Sequence, residues 1–232
     1  GQSTHILVQR SEAFGNVAGI EIENSKDAEV YDNDAYNNTA GILVFNLPGL
    51  PVQGGERAKI HHNRMTDNNQ LNFAEEGTIV GLVPPGIGAL ILASDRNELH
   101  DNVITGNDSL GIVVQTYIDS LFEAYDDPGF DPFCEGNWIH DNTFSDNGAA
   151  PKAYAALILG GGTGPDVAYD GCHDDHPDGP GQAADTNCMM ANGDATYLDF
   201  DLCSNPNASS TDISLVTCSY EPLAAQTGQI AP

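Results

Sequence analysis

The chain has 232 residues, with 34 Asp or Glu against 7 Lys or Arg, a net charge of −27 and a pI near 4.1. Such a charge excludes ordinary nucleic-acid binding and docking on an anionic bilayer, and no apolar run approaches the roughly 20 residues that span a membrane. Hydrophobic residues make up 40%, enough for the core of one large domain, whereas 20 Asn, 23 Asp, 25 Gly and 13 Pro leave little room for long helices.

The first residues already look like a strand: Gly1 leads almost directly into His5-Ile6-Leu7-Val8 without an initiating Met. A processed or truncated product is therefore expected, with a signal peptide or further segment upstream. A repeat follows. Asn-x4-Asn recurs at Asn33/Asn38, Asn63/Asn68, Asn102/Asn107 and Asn142/Asn147, and Ser11/Asn16 is a fifth copy with Ser in first place. Three positions before the first Asn stand Val8, Val30, Ile60, Leu99 and Ile139, an aliphatic column that should face a core. Gly-aliphatic runs start after the second Asn at Gly19, Gly41 and Gly111, and Gly88 falls in the same register. Alternation within these runs has period two, which is strand behaviour. A basic unit of 22 residues, repeated with insertions, predicts an all-β, right-handed parallel β-helix of about five coils over residues 1–164. Coils spaced roughly 4.8 Å apart would stack the asparagines into ladders.

Extra length falls near residues 47–57, 72–87 and 116–135, where long loops on a rigid scaffold commonly carry function. The strands before them are apolar on their outward side at Leu43, Phe45, Leu90, Leu92 and Val113. Loops or the C-terminal segment should cover this strip, as extra core or as the floor of a ligand groove. The other outward column, two positions before the first Asn, reads Gln9, Tyr31, His61, His100 and His140. Tyr31, His61, His100 and His140 are candidate ligand-binding residues, because stacked imidazoles can meet a sugar ring, a partner or a transition metal. Parallel side chains in a ladder do not converge, which counts against a closed metal site.

Loop 125–133 is the most enzyme-like stretch. Its Gly129-Phe130-Asp131-Pro132 is similar to the catalytic signature of β-helix mannuronan epimerases, but Phe133 stands where their His follows. Asp126, Asp127 and Asp131 remain candidate catalytic carboxylates or, as hard oxygen donors, Ca²⁺ ligands. Haem and nucleotide binding are not expected, since no Cys-x-x-Cys-His, Walker or Rossmann motif occurs.

Beyond Gly160-Gly161-Gly162 the composition becomes irregular and Cys-bearing, and residues 165–232 are expected to pack on the helix as a disulfide-stapled segment. Five cysteines in an acidic, Lys-poor chain point to an oxidising compartment. His173 and His176, beside Cys172, are candidate ligands for Zn or Cu.

The phrases NVAGIEIENS, NNTAGILVFNLPGLPVQGG, NFAEEGTIVGLVPPGIGALILAS and IHDNTFSDNG resemble the bacterial parallel β-helix repeat proteins of the pectate-lyase-like and NosD-type group. The likeness runs from Asn16 to about Gly164. It implies a secreted, periplasmic or cell-surface protein with a di-haem c-type cytochrome as a possible partner. Residues 187–200 and 217–222 resemble the group's C-terminal segment, which makes Cys188–Cys218 the preferred disulfide, with one more pair among Cys134, Cys172 and Cys203.

The leading expectation is an extracytoplasmic, non-catalytic scaffold that binds a glycan, a metal ion or a redox protein partner. The alternatives are a polysaccharide lyase, epimerase or hydrolase with Ca²⁺ as its cofactor, and a surface or filament component that self-associates through an open β-helix end. The acidity is compatible with a saline habitat or with cation and partner binding.

Overall fold

Seventeen short strands wind through three parallel sheets in a computed structural model that describes residues 1–75, 77–118, 121, 122, 124–173, 186–203 and 209–226. Coil one holds β1 (Leu7–Gln9), β2 (Glu12–Ala13) and β3 (Ala18–Glu23). Coil two holds β4 (Glu29–Tyr31), β5 (Asp34–Tyr36) and β6 (Ala40–Phe45), and coil three β7 (Lys59–His61), β8 (Arg64–Thr66) and β9 (Ile87–Leu92). Coil four comprises β10 (Glu98–His100), β11 (Val103–Thr105) and β12 (Leu110–Gln115), and coil five β13 (Trp138–His140), β14 (Thr143–Ser145) and β15 (Val167–Tyr169). The sheets continue into β16 (Cys188–Met190) and β17 (Tyr197–Asp199), a two-strand sixth turn built from the Cys-bearing segment. Every sheet pairs successive coils in register, β1-β4-β7-β10-β13-β16, β2-β5-β8-β11-β14 and β3-β6-β9-β12-β15-β17. The fold is a right-handed parallel β-helix.

Strands of two or three residues need firm turns, and Asx residues supply them. Arg10, Asp32, His62, Asp101 and Asp141 all take φ between 52° and 55°, the left-handed conformation that Asp and Asn tolerate, and so end the first-sheet strands at equivalent points. The next residue in each coil enters a buried ladder. Asn63 Nδ2 donates to the Val30 carbonyl on one side (2.9 Å) and to Asn102 Oδ1 on the other (3.0 Å). Asn102 Oδ1 also accepts the Asn63 backbone N–H at 3.0 Å. One amide thus ties three coils together and satisfies backbone groups that a turn would otherwise leave unpaired. The second Asn of the repeat forms a like ladder through Asn38, Asn68, Asn107 and Asn147. A third runs through Asn97, Asn137 and Asn187.

Between the sheets lies an aliphatic core in which Val30, Ile60, Leu99, Ile139 and Met189 stack. A second apolar layer forms outside the third sheet. Leu43, Phe45, Leu90, Leu92, Leu110 and Val113 are buried there under Ile79 and Val83 of one loop and Tyr117, Phe122, Tyr125 and Phe130 of another, with Ala155 of helix α1 (Ala153–Ile158). The insertions therefore serve as a lid on the scaffold, and the space left beneath them, ≈ 30 Å³, is far too small for a sugar ring.

Two disulfides, Cys172–Cys203 and Cys188–Cys218, hold the C-terminal segment, and Cys134 is a free, buried thiol. Burial pushes the Cys134 thiol well above the usual range, which keeps it protonated and inert.

Candidate functional site

The outward face of the first sheet gathers the imidazoles. Because β4, β7, β10 and β13 pair in register, Tyr31, His61, His100 and His140 occupy one column. Their rings stack nearly parallel, with centroids 5.0 Å apart for Tyr31–His61, 4.9 Å for His61–His100 and 5.1 Å for His100–His140. Tyr31 Oη donates to Gln9 Oε1 at one end, and Trp138 stacks on His140 at 3.8 Å at the other.

Two positions earlier in each strand a charged column runs alongside through Glu29, Lys59 and Glu98. Glu29 and Glu98 are buried at 5% and 3% exposure, which a carboxylate tolerates only with partners. Each uses one oxygen for the ladder: Glu29 Oε1 lies 3.0 Å from His61 Nε2, and Glu98 Oε1 3.3 Å from His140 Nε2. The other oxygen accepts backbone N–H groups of a C-terminal strap, from Gln226 to Glu29 Oε2 (2.6 Å) and from Leu223 to Glu98 Oε2 (2.8 Å). Lys59 Nζ donates to the Leu223 carbonyl at 2.8 Å. The strap and the ladder therefore share the same two buried acids.

The partners of the Nδ1 atoms differ between coils. His100 Nδ1 meets Asp101 Oδ2 at 2.8 Å and His140 Nδ1 meets Asp141 Oδ2 at 2.7 Å. In coil three the residue equivalent to these aspartates is His62, and its Nδ1 lies 2.8 Å from His61 Nδ1. Burial holds His100 below the ordinary imidazole range, aided by His61 and His140 and opposed by the Asp101 bond, and that bond lowers the Asp101 carboxyl in turn. His100 Nε2 is buried without a hydrogen-bond partner.

The structure does not gather the other candidates. Asp127 uses Oδ2 for the Gly49 N–H (2.7 Å) and Gln53 Nε2 (2.6 Å), and Oδ1 for the Gly129 N–H (3.1 Å). Asp131 Oδ1 accepts the Phe133 N–H at 3.0 Å, and Asp126 is exposed. Asp127 and Asp131 are spent on turns, so calcium ligation at this loop has no support. Among the described residues no group of three His, Cys, Asp or Glu converges on a metal position. His173 is exposed near Asp199, and His176 lies outside the described residues.

Glu29, Glu98 and His62 escape a reading of the histidine column alone. Their signals were nonetheless in the repeat: the alternations Glu29-Val30-Tyr31 and Glu98-Leu99-His100 put both acids on the outward side, and His62 breaks the Asp32, Asp101, Asp141 series.

Residues 1–155, two thirds of the chain, match the family model of the periplasmic copper-binding protein (NosD), and the chain belongs to that family. No curated protein and no solved structure matches it. Among the described residues no helix is long and apolar enough to cross a membrane. Copper can be weighed against the donors present. Neutral imidazole is a suitable ligand for copper, and the ladder offers several, but as an open edge instead of a closed cage. The residues fit an exposed, incompletely ligated ion, not a buried structural one.

Proposed function

We propose that this member of the NosD family is a non-catalytic, extracytoplasmic scaffold whose imidazole-lined face takes part in copper handling and exchanges the ion with a protein partner, such as a redox protein. The observation that carries this reading is the ladder itself: three stacked imidazoles, backed by two buried carboxylates, on a sheet that the asparagine ladders make rigid. Buried second-row acids that orient imidazoles are a common companion of metal ligation by histidine. Bound copper would supply Lewis acidity or one-electron chemistry, and the chain's own residues would hold and orient it.

An exposed edge fits transfer better than storage, because vacant positions on the ion stay available to an incoming ligand. A sugar-processing groove has less behind it. The lid leaves ≈ 30 Å³ over the apolar strip, and Asp127 and Asp131 are committed to backbone N–H groups.

Calorimetric titration with Cu⁺, Cu²⁺ and Ca²⁺, alongside incubation with polygalacturonate and alginate, tests the reading. Binding of copper at micromolar concentration or below, with no new unsaturated or reducing sugar ends, is expected. Absence of copper binding, or turnover of either polymer, would overturn it.

A further inference from the structure

We infer that His61 and His62 together form a two-nitrogen seat for one tetragonally coordinated divalent ion, Cu²⁺ above others, and that the seat is made by replacing the single hydrogen bond that now joins their Nδ1 atoms. The inference deepens the copper-handling reading and rests on it for the identity of the ion, while the geometry stands by itself.

Register supplies the first part of the argument. Coils four and five put an aspartate after the ladder histidine, in the left-handed turn conformation, and its carboxylate caps the ring Nδ1. Coil three keeps the backbone, with His62 at φ 54°, but carries a second imidazole where the cap would be. Asp and Asn are easier to hold at positive φ than His, so the turn alone favours Asx at position 62. The substitution turns a hydrogen-bond cap into a pair of facing nitrogens.

Tautomers supply the second part. His61 Nε2 lies 3.0 Å from the buried carboxylate oxygen of Glu29, a partner that only accepts, so the ring proton of neutral His61 sits on Nε2. His61 Nδ1 then carries a lone pair aimed at His62. The 2.8 Å contact requires His62 to donate its Nδ1 proton into that lone pair. His62 is exposed, so its proton can move to the solvent-facing Nε2, leaving two lone pairs that point into the gap. Above the imidazole pKa no proton is gained or lost overall: one N–H···N bond breaks, two metal–nitrogen bonds form, and the His62 proton changes nitrogen.

Distance supplies the third. Metal–imidazole bonds of about 2.0 Å at a right angle separate the nitrogens by about 2.8 Å, whereas a tetrahedral ion needs about 3.3 Å. The observed 2.8 Å is the length of the N–H···N bond itself, so the rings must turn before both lone pairs meet one ion; a right-angle pair then needs no wider separation of the nitrogens, whereas a tetrahedral one does. Among the described residues no third ligand converges, so water or a partner's side chain completes the set, as an exchangeable ion requires.

The test uses the whole chain and Cu²⁺ alone, with binding followed by titration and by electron paramagnetic resonance. The control variant is His62→Asn, whose side chain tolerates the left-handed turn and whose Nδ2–H can donate to His61 Nδ1, and which so keeps the fold. The wild type should bind one equivalent with a tetragonal spectrum carrying nitrogen hyperfine splitting. His62→Asn should weaken that binding at least about tenfold with its thermal midpoint retained. Long-range ¹H–¹⁵N spectra of the metal-free protein should show His61 protonated on Nε2 and His62 on Nδ1. If the wild type binds Cu²⁺ and His62→Asn binds it equally, the seat is elsewhere and this inference fails, although copper handling stands. If the wild type binds no copper, the functional reading falls with it.

Discussion

Asp170 shows how a buried charge is handled one residue at a time. Its carboxylate is 3% exposed and accepts two backbone N–H groups, from Thr116 at 2.6 Å and Cys172 at 3.0 Å. Those bonds favour the charged form, yet burial outweighs them and raises the pKa from 3.8 to about 6. Between those values the folded chain holds a proton that the unfolded chain has released. The contribution of this group to stability is therefore full below about pH 4, falls as pH rises through the window to about 6, and is lost above it. The shift of about two units corresponds to about 3 kcal/mol. Denaturant melts of the wild type and Asp170→Asn across pH 4–7 should show this slope in the first and a flatter one in the second, and parallel curves would refute the assignment.

At the scale of the element, strands of three residues cannot stand alone, and their stability comes from stacking. Gly41, Gly88 and Gly111 open equivalent strands of the third sheet at a place where the next coil passes very close. A Cβ on Gly88 would lie 2.5 Å from the Gly111 carbonyl oxygen and 2.6 Å from Ile104 Cγ2. The first contact is backbone and cannot swing aside. Gly88→Ala should cost about 2 kcal/mol or more, read as a lower midpoint in guanidinium with an unchanged slope. A midpoint equal to wild type would mean that the coils have room to separate. The Asn-x4-Asn spacing and the aliphatic column expose these elements in the sequence because every coil must satisfy the same turn and fill the same core. The same spacing also occurs at Asn97/Asn102, Asn137/Asn142 and Asn187/Asn192, and the last pair marks the sixth turn. It is harder to see because the 50 residues separating Asn142 from Asn192 contain helix α1, the triple glycine and an Asp-rich stretch of sequence, and they blur the period.

For the whole molecule, the C-terminal segment decides how the ladder face is bounded. Cys188 lies in β16 of the first sheet, and its bond to Cys218 anchors the chain just before the strap that reaches Glu98 and Glu29. A crosslink with a sequence separation of 30 stabilises by about 3–4 kcal/mol in the chain-entropy model. Cys188→Ala/Cys218→Ala should lose about that much and should expose the Leu223 and Gln226 amides to faster hydrogen exchange. If those amides keep their protection, the strap holds by its carboxylate bonds alone.

Part of the −27 charge comes from Asp at turns that the coil itself requires, such as Asp32, Asp101 and Asp141, and the strands, the ladders and the outward column of Tyr31, His61, His100 and His140 also follow from local pattern. These are determined by the sequence because each depends on contacts that recur at a fixed register. The pairing of Glu29 and Glu98 with the strap, the use of the loop aspartates on turns, the sealing of the apolar strip and the meeting of His61 with His62 depend on segments far apart in the chain or on the exact hand of one turn. No periodicity encodes them, since each occurs once, and only the folded chain brings the partners within bonding distance.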